Sequence, residues 1–112
     1  MIAVIFEVMP AEGRLPEYLK LAAALKPELE KIDGFISVER FQSLTDPSKI
    51  LSLSIWRDEE SVARWCNHPA HRSTQAKGRG GVFAGYRLRV AGIIRDYGMS
   101  DRREQAPADS AA

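Results

Sequence analysis

The sequence predicts a single α+β domain in the order β, α, β, β, α, β: a four-stranded antiparallel sheet with two helices on one face. Three observations carry this. Four segments are rich in Ile, Val, Phe, Tyr and Trp, two others repeat apolar residues at helical spacing, and turn residues separate them. A chain of 112 residues suits one core, and no linker, repeat or low-complexity insert divides it. The domain is assigned to residues 1–98. Residues 99–112 are expected to be a disordered tail, because from Ser100 onward no aliphatic side chain exceeds alanine.

Ile2 to Val8 is a run of β-branched and aromatic residues with the composition of a strand, stopped by Pro10 and Gly13. From Arg14 to Ile32, the residues Tyr18, Leu21, Ala22, Leu25, Leu29 and Ile32 recur at three and four positions and build one face of a helix. Pro16 suits its first turn, Pro27 predicts a kink or a tightened final segment, and Asp33-Gly34 ends it. Phe35 to Leu44 alternates Phe35, Ser37, Glu39 and Phe41 with Ile36, Val38, Arg40 and Gln42, so both faces of this strand carry apolar weight. Thr45-Asp46-Pro47-Ser48 turns the chain into a hairpin partner, Lys49 to Trp56, with Leu51, Leu53 and Ile55 on one side. Asp58 caps a second helix with Glu59 and Glu60 in its first turn and Val62, Trp65 and Cys66 on its apolar face. Pro69 interrupts this helix and places His68 at a break, with a further helical piece running to Lys77. Gly78 to Gly81 close the segment. Val82 to Tyr97 is the last strand, with Gly85 and Gly92 where it bulges or bends. The succession is the split βαβ, or ferredoxin-like, arrangement.

The composition, 45% hydrophobic and 28% charged with a formal net charge of +1, is that of an ordinary globular domain with no global attraction to nucleic acid. No apolar run approaches the roughly 20 residues of a membrane helix. The apolar N-terminus lacks the basic region and cleavage site of a signal peptide, so no membrane association and a cytoplasmic location are expected. The single cysteine, Cys66, excludes an internal disulfide and a thiolate zinc site. Residues from Arg64 to Arg95 include basic groups and no Asp or Glu. Either this stretch faces an anionic ligand, or Arg87 and Arg89 pair across the sheet with Glu7 and Glu39 or simply face water. Helices on one face leave the other face of the sheet open, which predicts a two-fold homodimer closing sheet against sheet. On that view the second apolar face of the strands beginning at Phe35 and Val82 is the contact, and Val38→Asp disrupts it.

Three stretches in succession resemble the antibiotic biosynthesis monooxygenase family: Ile-Asp-Gly-Phe-Ile-Ser-Val-Glu-Arg-Phe from Ile32, Ser-Ile-Trp-Arg-Asp-Glu-Glu from Ser54, and Trp-Cys-Asn-His-Pro-Ala-His from Trp65. The resemblance spans residues 1–97. It implies a dimeric α/β barrel with a ligand pocket between the helices and sheet of each subunit. The family includes cofactor-free oxygenases of aromatic polyketides, haem-degrading enzymes and enzymes acting on small signalling molecules or quinones. In the polyketide-oxidising members a tyrosine follows the helix tryptophan; the position six residues after Trp65 is His71, which keeps a proton carrier but changes its pKa and reach. The haem-degrading members hold iron with a histidine about ten residues beyond that tryptophan, where this chain has Gln75, and their first-strand asparagine has no counterpart in Ile2 to Val8. Haem is therefore disfavoured, and no cofactor is expected.

His71 and His68 are the candidate catalytic residues, since an imidazole titrates near neutral pH and suits general-base work. Trp65 is placed to stack on a planar ligand, Asn67 to bind a carbonyl and Arg72 to bind an oxyanion. Each has a plainer reading: His68 caps the break and His71 is solvated, Trp65 is core, Asn67 is a helix cap, Arg72 is a solvated arginine and Cys66 a small apolar residue. Two histidines across a proline, without carboxylates nearby, make a poor ligand set, so no metal is expected. The leading function is a cofactor-independent, monooxygenase-like enzyme acting on a small aromatic or enolic organic compound. The alternative is a non-catalytic dimeric module of the same fold that binds a small ligand or serves as an accessory subunit. A cavity with an imidazole in its wall favours the first.

Overall fold

The computed structural model describes residues 1–100, apart from the side chains of 78 and 79. Strands β1 (Ile2–Pro10), β2 (Phe35–Gln42), β3 (Ile50–Trp56) and β4 (Phe83–Gly92) pair antiparallel in the spatial order β2-β3-β1-β4. Helix α1 (Leu15–Glu30) joins β1 to β2, α2 (Glu59–Cys66) and α3 (Pro69–Lys77) follow β3, and an irregular turn at Gly78–Val82, with Gly81 at a φ of +120°, leads into β4. This is the α+β, ferredoxin-like βαββαβ arrangement, with the second helical region in two pieces. Among the described residues no helix is long and apolar enough to cross a membrane. Residues 101–112 of the expected tail lie outside the described residues.

The most apolar strands take the centre of the sheet, where both edges are paired. Alternation along β1 sends Val4, Phe6 and Val8 to the helix side, with Val4 opposite Ser54 and Val90 and Phe6 opposite Ser52 and Leu88. The core forms two clusters on that side. Val8, Tyr18, Ala22, Ile50 and Val82 make one, and Leu29, Trp56 and Trp65 the other. Trp56 keeps only 1% of its surface exposed and donates its indole N–H to the Ser54 hydroxyl over 2.8 Å, so its one polar atom is satisfied. α1 runs on through Pro27 to Glu30. The carbonyl left without a helical donor belongs to Ala23, which is exposed, so water can take the place of the missing N–H.

Three expectations are corrected. The last strand stops at Gly92, so residues 93–97 lie beyond it. The register of β2 against β3 shifts between Phe35 and Ser37, which leaves Phe35 and Val38 packed in the helix-side core. Val38 is therefore not on the open face. That face carries Ile5 opposite Leu53 and Ala3 opposite Ile55. Glu39 pairs with Leu53 on the far side of the sheet from β4. Glu7 alone meets the basic strand, opposite Arg87 in register, with Arg89 Nη1 at 3.4 Å and Lys49 Nζ at 3.6 Å.

Asp58 caps α2, its carboxylate accepting from the Ser61 N–H at 2.8 Å and the Ser61 hydroxyl at 2.6 Å. The same helix end docks on the turn between α1 and β2. Arg57 bridges to both Asp33 oxygens at 3.0 and 3.1 Å, and the Gly34 carbonyl accepts the Arg57 N–H at 2.7 Å. Gly34 holds a φ of +95°, and a Cβ there would overlap the fully buried Ser61 hydroxyl. Gly34→Ala is expected to cost about 1–3 kcal/mol of folding stability from backbone strain and overlap together. Urea unfolding measures it, and a loss below about 0.5 kcal/mol would show that the turn relaxes freely.

Candidate active site

The ends of two short helices build the site. α2 finishes at Cys66, and Asn67 caps it by donating from Nδ2 to the Ala63 carbonyl at 3.0 Å. Pro69 has no N–H and bars a helical His68, so the chain breaks and restarts. His68 Nδ1 accepts the Ala70 N–H at 3.0 Å, and the His68 carbonyl accepts from Arg72 at 3.1 Å, which together start α3. Across this break the Trp65 ring meets both imidazoles, stacked on His68 at 5.5 Å and 28° and tilted on His71 at 5.1 Å and 55°.

Beside Trp65 a cavity of about 240 Å³ lies between the three helices and the sheet. Its walls are mostly apolar, with Val4 and Phe6 from β1, Leu25 from α1 and Val62 from α2. Polar groups reach it from Arg40 of β2, Ser52 and Ser54 of β3, Tyr18 of α1, and His71 and Gln75 of α3. On the wall formed by β4, Tyr86, Leu88 and Val90 remain 58, 52 and 50% exposed. Among the described residues no Asp or Glu lines the cavity, and no group of three or more His, Cys, Asp or Glu is placed to hold a metal ion.

Two buried side-chain nitrogens among the described residues lack a hydrogen-bond partner, Arg40 Nε and His71 Nδ1, and both residues line this cavity. Burial holds the His71 imidazole below its ordinary pKa, and the neighbouring His68 pushes the same way. The Cys66 backbone favours the charged form but makes no well-formed hydrogen bond and is outweighed. His71 therefore presents a neutral ring at pH 7. Burial also pushes the Tyr18 phenol up, against the pull of the adjacent Arg40 guanidinium, so Tyr18 keeps its proton.

Of the residues singled out from the sequence, Trp65 and His71 meet at the cavity. His68 lies behind Trp65, with Nε2 at 3.8 Å from Glu28. Asn67 and Arg72 bond to each other at 3.1 Å at the helix junction, outside the cavity lining. Arg40 and Tyr18 are site residues that sequence reasoning missed. A charged residue two positions from Val38 on a strand with apolar weight on both faces was the available signal for Arg40; Tyr18 read simply as a core position on α1.

A family model described as antibiotic biosynthesis monooxygenase matches residues 1–77. A protein of Pyricularia oryzae named jasmonate monooxygenase ABM is 50% identical over 110 residues, covering 98% of this chain and 51% of that protein. The chain thus spans about half the length of this relative. Among solved structures, Rv0793 from Mycobacterium tuberculosis superposes with a TM-score of 0.78 at 15% identity, covering 87% of this chain and 98% of that one. A variant of SnoaB, a cofactor-independent oxygenase from Streptomyces nogalater, gives 0.75 at 9% identity, covering 85% and 94%. At these identities the structures establish a shared fold.

Followed by NMR, the His71 ring is expected to titrate below the 6.5 of an ordinary imidazole. The unfolded chain then binds a proton that the folded chain refuses, so stability is full above that pH and falls as the pH drops from about 6.5. A His71 pKa at or above 6.5 would contradict the burial of the ring.

Proposed function

This chain belongs to the antibiotic biosynthesis monooxygenase family, and on that premise we propose that it is a cofactor-independent monooxygenase of a small enolic or aromatic compound held beside Trp65. The observation that carries this reading is the neutral His71 ring, half-buried in a cavity wall with its buried Nδ1 unpartnered. A base desolvated in this way and pressed against an aromatic wall is suited to accept a substrate proton.

Direct oxygenation needs a carbon acid or phenol that becomes a good one-electron donor once ionised. His71 takes the proton, the enolate passes one electron to dioxygen, and the two radicals join as a peroxide anion. The imidazolium returns the proton. Loss of water from the hydroperoxide leaves a carbonyl, so that one methylene group and one dioxygen become one ketone group and one water. Trp65 and the apolar wall hold the planar substrate. His68 acts on this chemistry only through its stacking on Trp65 and its capping of α3. With Gln75 on α3 where the haem-degrading members carry an iron ligand, the residues favour a reaction without haem. The relative's name makes a jasmonate the first compound to test.

The same reading includes a homodimer through the open sheet face, where Ile5, Leu51, Leu53 and Ile55 stay only partly buried in one subunit. Leu53→Asp is expected to leave a folded monomer by light scattering, and an unchanged mass would place the contact elsewhere.

Oxygen uptake with jasmonate, anthrones and electron-rich phenols, without added cofactor, tests the activity. His71→Ala is expected to lower the rate by about 10²- to 10⁴-fold, the usual contribution of a general base, while His68→Ala lowers it far less. Equal rates in wild type and His71→Ala would remove His71 as the base. Saturable binding without uptake for any compound would favour the non-catalytic module instead.

A further inference from the structure

Arg40 is a cation facing an apolar chamber. Its side chain comes off edge strand β2 on the helix side, opposite Ser52, and lines the cavity with Nε buried and unpartnered. No salt bridge reaches it among the described residues, and no carboxylate lines the cavity. The groups that face it do not supply a negative charge. Tyr18 keeps its proton, Ser52 and Ser54 are hydroxyls, and His71 is neutral.

A guanidinium cannot lose its proton to escape such a site, as a buried lysine or histidine does. Arg40 is half-buried, with the Tyr18 phenol as a neutral neighbour, and stripping the remaining water from a charge without an anionic partner is costly as a ligand fills the cavity. Water satisfies an N–H but does not neutralise the charge. A ligand that brings its own anion does both, and the planar fork of an arginine matches a carboxylate with two parallel hydrogen bonds.

We infer that the ligand of this cavity is a small organic carboxylate, its acid group held by Arg40 and its apolar body lying against the remaining walls. The inference rests on the reading that this cavity takes the substrate. The Tyr18 hydroxyl, beside Arg40, donates to the same carboxylate. Arg40 is then a specificity-determining residue: it selects acids over their neutral esters and sets which end of the molecule is presented to Trp65 and His71. The negative charge belongs to the bound ground state, not only to an enolate formed during reaction.

Binding under nitrogen tests this without turnover. Jasmonate and 1-naphthaleneacetate, each beside its methyl ester, are titrated calorimetrically at pH 7.5 into wild type, Arg40→Gln and Arg40→Lys, with melting curves as the check on folding. The wild type is expected to prefer each acid by about tenfold or more, as one charge-assisted hydrogen bond implies. Arg40→Gln is expected to lose that preference and Arg40→Lys to keep part of it. Esters that bind as tightly as acids, a preference that survives in folded Arg40→Gln, or no binding of either pair to the wild type overturns the inference. Should Arg40→Gln fail to fold, the acid-to-ester ratio of the wild type decides. A protein that binds the acids yet consumes no oxygen keeps this inference and loses the catalytic reading; one that oxidises only the esters does the reverse.

Discussion

The missing amide hydrogen of Pro69 is the constraint on which the candidate site depends. In an unbroken helix, residues six apart project about 120° from each other, since each residue advances about 100°. Trp65 and His71 would then face different surroundings. The break at His68 resets the helical phase and brings their rings to 5.1 Å. His68 stabilises the restart by accepting the Ala70 N–H, which in the first turn of α3 has no helical partner. One proline therefore sets the geometry of two aromatic side chains beside the cavity.

The cavity itself follows from how the layers are tied. The sheet presents small hydroxyls, Ser52 and Ser54, at its centre, and Ser54 is already engaged by the Trp56 indole. Large residues pack around this centre in two separate clusters instead of one. The turn at Asp33-Gly34 and the capped start of α2 hold the helix at a fixed distance through Arg57 and the Asp58 cap. Those ties lie on the surface, where ion pairs add little stability, so their contribution is placement more than energy. The space that remains is mostly apolar, and besides the neutral hydroxyls and Gln75 it meets Arg40, Tyr18 and His71 from three different elements.

Structures that share this fold at 9 and 15% identity show that the architecture tolerates wide change in sequence. A fold of this kind is a scaffold on which different sites are built, and its chemistry resides in the cavity lining. The cavity here joins a neutral base to an unpaired cation. A polar nitrogen without a partner in an apolar wall is a cost to folding. That both such nitrogens lie on the same cavity is the pattern expected when a ligand, and not the core, completes them.

Much of this was determined by the sequence alone, because the relevant physics is local. Asp58 before an acidic first turn makes a cap, Asp33-Gly34 ends a helix because glycine takes positive φ, and Pro69 breaks one wherever it stands. Alternation marked the strands, and their order with the helices left few topologies. Trp65 and His71 were singled out through the family resemblance, and it is the packing across the break that sets their rings 5.1 Å apart. The rest is set at a distance. Which face Val38 and Arg40 take depends on a register slip between Phe35 and Ser37, and a slip of one residue exchanges the two faces of a strand. Nothing in the local sequence of β2 reveals it, because the slip is a relation between β2 and β3. The end of β4 at Gly92 is set likewise by where β1 begins, since Gly92 pairs with Ile2. Arg40 beside Tyr18 and His71 joins residues up to 53 positions apart, and only the packed sheet and helices decide that they share one cavity.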